Sequence, residues 1–181
     1  MTALAVFGGS FNPPHVAHQM ACLWVLETQP VEELLVVPTF RHPFEKQLAP
    51  FADRVEMCRL MAAALGPRVE VSGIEAELGG ESSRTLHMLE ALAERRPGVQ
   101  LRLVVGTDIL RETSKWYRWA DIEALAPPIV VGRSGFGGTI ALPDVSSTEI
   151  RARVASGLPL DGMVPRAVLH YLETKGLYRQ P

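Results

Sequence analysis

Short apolar runs alternate with amphipathic stretches along most of this 181-residue chain. LAVFG (4–8), ELLVVP (33–38), RVEVSG (68–73), QLRLVVG (100–106) and PPIVVG (127–132) are rich in Val, Leu and Ile and predict buried strands. Between them, 15–27, 50–65, 83–95 and 109–125 carry the mixed apolar and polar spacing of helices. Strands alternating with helices imply parallel strands joined by right-handed crossovers, with helices on both faces of one sheet. The rhythm changes near the end. DVSSTEIRARVASG (144–157) opens with helix-capping Ser and Thr and has Glu149 in its first turn, while PRAVLHYLETKGLY (165–178) is framed by Pro165 and Gly176. No internal repeat, low-complexity tract or linker divides the sequence. The expectation is a single doubly wound α/β domain over 1–181, with a mainly parallel sheet of five or six strands and a small helical part from about residue 146.

In open sheets of this kind, ligands settle beyond the C-terminal ends of the strands, where strand order reverses. The stretches GGSFNPPHVAHQ, VPTFRHPFEK, VVGTD and VVGRSGFGG stand at such ends. Composition narrows the choice of ligand. A net charge of −2 and a pI near 6.2 lack the basic surplus of a nucleic-acid binder. No apolar run is long enough for a membrane span, and MTALAVFGG has neither the basic region nor the cleavage pattern of a signal peptide. A cytoplasmic protein without nucleic-acid or membrane partners is expected, and no motif fixes its oligomeric state. Cys22 and Cys58 lie in apolar helical contexts, too few for a disulfide framework and too far apart for a zinc site, so they read as buried thiols.

The candidate chemistry begins in VFGGSFNPPHVAHQ (6–19), which is neither G-x-G-x-x-G nor a P-loop. Gly8 and Gly9 permit a sharp turn and close approach of a ligand to the backbone. The helix starting near His15 aims its free N–H groups at the strand exit, which suits phosphate. His15 and His18, three apart, share its first turn and can hydrogen-bond phosphate oxygens; a tight turn with a capping histidine, or a metal site, are the other readings. VSSTEIRAR offers Ser146, Ser147 and Thr148 at a second helix start with Arg151 one turn on, as a plain cap or as a second phosphate clamp. Trp116 can serve as a platform for a flat heterocycle, or pack against Trp119. His42 could reach ligand from its loop, RSGFGG (133–138) reads as a flexible loop, and His87 and His170 read as surface or packing residues of helices.

Together, GGSFNPPHVAHQ and VSSTEIR resemble the paired H-x-G-H and I-S-S-T-x-x-R signatures of the Rossmann-like nucleotidyltransferase α/β superfamily. G-G-S-F-N-P-x-H, with VVGTDIL…KWYRW (104–119) as its G-x-D…W-Y element, is similar to the nicotinate or nicotinamide mononucleotide adenylyltransferases. The resemblance implies an ATP site at Gly8, Gly9, Ser10, Phe11, Ser147 and Thr148, with His15, His18, Lys46 and Arg151 in catalytic roles. It places the mononucleotide at Thr85, Gly106, Asp108, Trp116 and Tyr117. It further implies ATP plus nicotinate mononucleotide giving deamido-NAD and pyrophosphate, in NAD biosynthesis. Mg²⁺ would ride on the ATP phosphates, with no metal bound by the protein itself. The alternatives are nicotinamide mononucleotide or another phosphate as acceptor, or a nucleotide-binding regulator without turnover. Three positions depart from the pattern. Ala17 replaces Gly between the histidines; RHPFEK puts Lys46 about one position from the family's phosphate-reaching lysine; GESSRTL puts Glu81 and Arg84 where Tyr and Asp are usual.

Overall fold

The computed structural model of the chain describes residues 2–41, 48–79, 84–107, 109–132 and 142–179. Strands β1 (Ala3–Gly9), β2 (Glu33–Pro38), β3 (Val69–Val71), β4 (Gln100–Gly106) and β5 (Pro128–Val131) form one sheet in the order β3-β2-β1-β4-β5. Every pair is parallel. Among the described residues, seven α-helices surround it: α1 (Val16–Thr28), α2 (Phe51–Ala62), α3 (Ile74–Leu78), α4 (Thr85–Arg95), α5 (Trp119–Leu125), α6 (Ser147–Ala155) and α7 (Arg166–Lys175).

The alternation of side chains along a strand divides the apolar residues between two cores. Ala3, Ala5, Leu34, Val36 and Val104 face α1, α2, α6 and α7. Leu4, Val6, Leu35, Val37, Leu101, Leu103 and Val105 face α3, α4 and α5. Strands buried on both sides therefore read as continuous apolar runs, without polar alternation. Cys22 and Cys58 are fully buried in the first core as free thiols, and desolvation pushes the Cys22 thiol up to about 12 and raises Cys58 as well. The C-terminal helices follow their sequence signals. Ser146 Oγ accepts from Glu149 N at 3.1 Å, and Gly176 closes α7 in the left-handed region at φ 63°. Tyr171 Oη donates to Asp53 Oδ1 at 2.7 Å and ties α7 to α2.

Two expectations are corrected. The stretch 109–125 is not one helix. It forms 3₁₀ turns at Ile109–Arg111 and Thr113–Lys115, runs extended at Trp116, and turns helical only after Arg118, which sits left-handed at φ 52°. Thr113 and Ser114 favour turns over helix interiors, and the broken path carries Trp116 and Tyr117 to the cleft described below. The short α3 between Gly73 and Gly79 was not anticipated. No helix among the described residues is long and apolar enough to cross a membrane.

Candidate active site

Strand order reverses between β1 and β4, and their C-terminal ends open a cleft of about 960 Å³. Both ends finish in glycine, at Gly8–Gly9 and Gly106, and all three line it. A side chain at Gly8 would meet nothing within 4 Å and would project into open space, whereas one at Gly9 would press on the Phe11 ring at 3.3 Å. The two glycines thus act differently: Gly8 leaves room for a ligand, and Gly9 leaves room for Phe11.

Phe11 is the strained point of the loop. It is buried with φ 45°, a left-handed conformation uncommon for a bulky residue. In that conformation its ring reaches Phe7 (centroids 5.5 Å apart) and His18 (4.9 Å), both edge-on. His15, extended at φ −142°, is the N-cap of α1. Its backbone N–H donates to His18 Nδ1 at 3.2 Å, and the two imidazoles stack with centroids 3.6 Å apart. Because Nδ1 accepts that bond, the ring proton of neutral His18 sits on Nε2, which makes Nε2 a donor. His15 stands at the N-cap position of α1, and both histidines line the cleft.

The second motif closes on the first. Ser147 Oγ donates to Pro13 O at 2.8 Å, and Arg151 Nη1 donates to Asn12 O at 2.8 Å while its Nη2 lies 3.3 Å from Thr148 Oγ1. Ser146, Ser147 and Thr148 line the cleft beside Ser10 and Phe11, so two helix N-termini, those of α1 and α6, converge on one space. Arg151 is turned instead toward the loop backbone, one turn behind that N-terminus.

Three residues missed in the sequence support this loop. Asn12, 1% exposed, accepts at Oδ1 from Ala49 N (2.9 Å) and from Tyr178 Oη (2.8 Å). Arg54, equally buried, donates from Nε to Ala49 O (3.0 Å) and from Nη1 to Ser10 O (2.9 Å). Burial lowers the Arg54 pKa and raises that of Tyr178, whose phenol therefore stays a donor. The sequence signals were negative: Asn-Pro in a turn reads as exposed, and an arginine within a helix reads as surface.

At the other end of the cleft stand Arg84, Thr85, Trp116 and Tyr117. Trp116 is half-buried, packs on the second core and meets Trp119 edge-on at 5.5 Å, so packing and platform roles are compatible. Arg84 Cζ lies 4.3 Å from the centre of the Tyr117 ring, and His87 touches the same ring edge-on at 5.8 Å. His170 is exposed on α7. Lys46, Asp108, His42, Glu81 and 133–138 lie outside the described residues.

Fold and cleft define an α/β protein in which two helix N-termini converge on a cleft at the switch point of a parallel sheet. A family model described as Cytidylyltransferase-like matches residues 6–153, from β1 into α6. A protein of Anaeromyxobacter sp. (strain K), named "Probable nicotinate-nucleotide adenylyltransferase", is 56% identical over 97% of this chain and 96% of its own. One of the same name from Myxococcus xanthus is 40% identical over 97% of this chain and 94% of its own. Among solved structures, Plasmodium falciparum nicotinic acid mononucleotide adenylyltransferase complexed with NaAD superposes with a TM-score of 0.85, covering 98% of both chains at 18% identity, and so shares the fold. The chain belongs to the cytidylyltransferase-like family and, within it, to the nicotinate-nucleotide adenylyltransferases.

Proposed function

We propose that the protein joins ATP and nicotinate mononucleotide to give deamido-NAD and pyrophosphate, as a cytoplasmic step of NAD biosynthesis. The observation that supports this reading is one cleft lined both by the N-terminal residues of α1 and α6 and by Arg84, Trp116 and Tyr117. The mononucleotide 5′-phosphate oxygen attacks the ATP α-phosphorus in line, and the bond to the bridging oxygen breaks to release pyrophosphate. Such transfer asks for positioning and charge stabilisation more than for a protein nucleophile. The His18 Nε2–H and the N-termini of α1 and α6 supply donors for the charge that builds on the phosphoryl oxygens. Mg²⁺ enters as part of the substrate MgATP.

The test is pyrophosphate release from MgATP across acceptor phosphates: nicotinate mononucleotide, nicotinamide mononucleotide and phosphopantetheine. Free N–H groups at the start of α4 and the Thr85 hydroxyl favour a carboxylate. kcat/KM is expected to favour nicotinate mononucleotide over its amide by roughly tenfold or more, about 1.4 kcal/mol. Absence of pyrophosphate release with every acceptor in the panel would leave a nucleotide-binding regulator. Trp116→Ala is expected to raise KM for the mononucleotide far more than that for ATP, the lost stacking being worth about 1–3 kcal/mol by analogy with base–aromatic platforms. A rise confined to ATP would reverse the two ends of the cleft.

A further inference from the structure

We propose that the Arg84 guanidinium, seated on the Tyr117 ring, is the side chain that reads the acceptor's carboxylate and so sets acid-over-amide specificity; this rests on the adenylyltransferase reading above. GESSRTL places an arginine at position 84, where the family pattern resembled by this sequence has Asp.

Arg84 lines the cleft beside Thr85, Trp116 and Tyr117. Its contact with Tyr117, at 4.3 Å, is closer than those of Arg54 with Phe51 (5.4 Å) and Arg41 with Phe40 (5.5 Å). Arg59, Arg68, Arg95, Arg96, Arg118 and Arg153 each pair with a carboxylate. Arg84, by contrast, forms no such pair among the described residues, although it faces the cleft.

A guanidinium has two kinds of surface. Its face stacks on an aromatic ring, and its edge presents parallel N–H donors that match a planar carboxylate. Arg84 Cζ sits over the Tyr117 ring at 4.3 Å, and a guanidinium stacked there keeps its N–H edge for a ligand. His87, one helical turn further along α4, holds Tyr117 from another side, so the platform does not depend on the guanidinium alone. An amide at the same spot offers one acceptor and turns an NH₂ group toward donors, so it gains less.

The two mononucleotides share their ribose, pyridinium and 5′-phosphate. The ratio of their kcat/KM values therefore isolates the contact to the acid or amide. In Arg84→Gln that ratio is expected to fall about tenfold, and in Arg84→Lys, which keeps charge but loses the planar edge, by an intermediate factor. A ratio that moves by less than about threefold in Arg84→Gln overturns the proposal, including the case in which both acceptors suffer equally because Arg84 only braces Tyr117. A second measurement needs no variant. On the unaltered protein, raising ionic strength from about 0.05 to 0.5 M screens charge pairs at the cleft mouth, and KM for the acid is expected to rise more than KM for the amide. Parallel rises count against Arg84. Failure of the unaltered protein to use either mononucleotide would instead refute the activity itself.

Discussion

His18→Ala is expected to lower kcat by about 10²–10³-fold, with a smaller change in KM for either substrate. That is the scale for loss of one preorganised donor to charge that develops in the transition state. The donor is preorganised because the ring is held on several sides. The His15 N–H bonds its Nδ1, the His15 imidazole stacks on its face, and Phe11 and Phe7 meet it edge-on at 4.9 and 5.9 Å. None of these contacts must form during the reaction. Single-turnover kinetics separate the chemical step from binding, and a variant within about threefold of the parent would remove His18 from that step. A melting temperature measured alongside shows whether loss of the ring also loosens Phe11.

The second large effect is on stability. Asn12→Ala is expected to destabilise the fold by about 2–4 kcal/mol, because the Ala49 N–H and the Tyr178 hydroxyl would both lose their acceptor. For a chain of this length that lowers the melting temperature by on the order of 10 °C. Turnover should fall further than stability explains, since the loop that loses its Ala49 and Tyr178 bonds also carries Phe11, whose ring meets His18. Thermal unfolding within about 2 °C of the parent would show that water replaces the Asn12 side chain without cost.

What the sequence made legible follows from what is periodic or chemically marked. Strands β1, β2, β4 and β5 carry apolar residues toward both cores and stood out as runs, whereas β3 buries one face only and exposes Glu70. Gly8, Gly9, His15, His18 and the Ser146–Thr148 cap could be assigned because each residue type suits a strand exit or a helix start, and the structure gathers all of them at one cleft. The supporting layer left no such mark. Arg54 is a charged residue on a helix with two bonds to backbone carbonyls, a role that spacing does not encode. Tyr178 reads as the end of a helix, yet its hydroxyl reaches Asn12. The region 109–125 misled because its apolar spacing suits a helix, while a left-handed Arg118 breaks it. Lys46 and Asp108 were assigned through resemblance alone and lie outside the described residues.

The bonds that pin the Ser10–Pro13 loop also bear on when the molecule becomes competent. Ser147 meets Pro13 across 134 residues, Arg151 meets Asn12 across 139, and Tyr178 meets Asn12 across 166. Length alone adds little to the cost of such closures, about 0.6 kcal/mol per doubling. Order in time is another matter, because β1 and β2 leave the ribosome long before α6 and Tyr178 are made. In a growing chain β1 and β2 are therefore both present while the Ser10–Pro13 loop still lacks its clasp. A fragment that stops before α6 carries both histidines on a Ser10–Pro13 loop that lacks its bonds from Ser147, Arg151 and Tyr178.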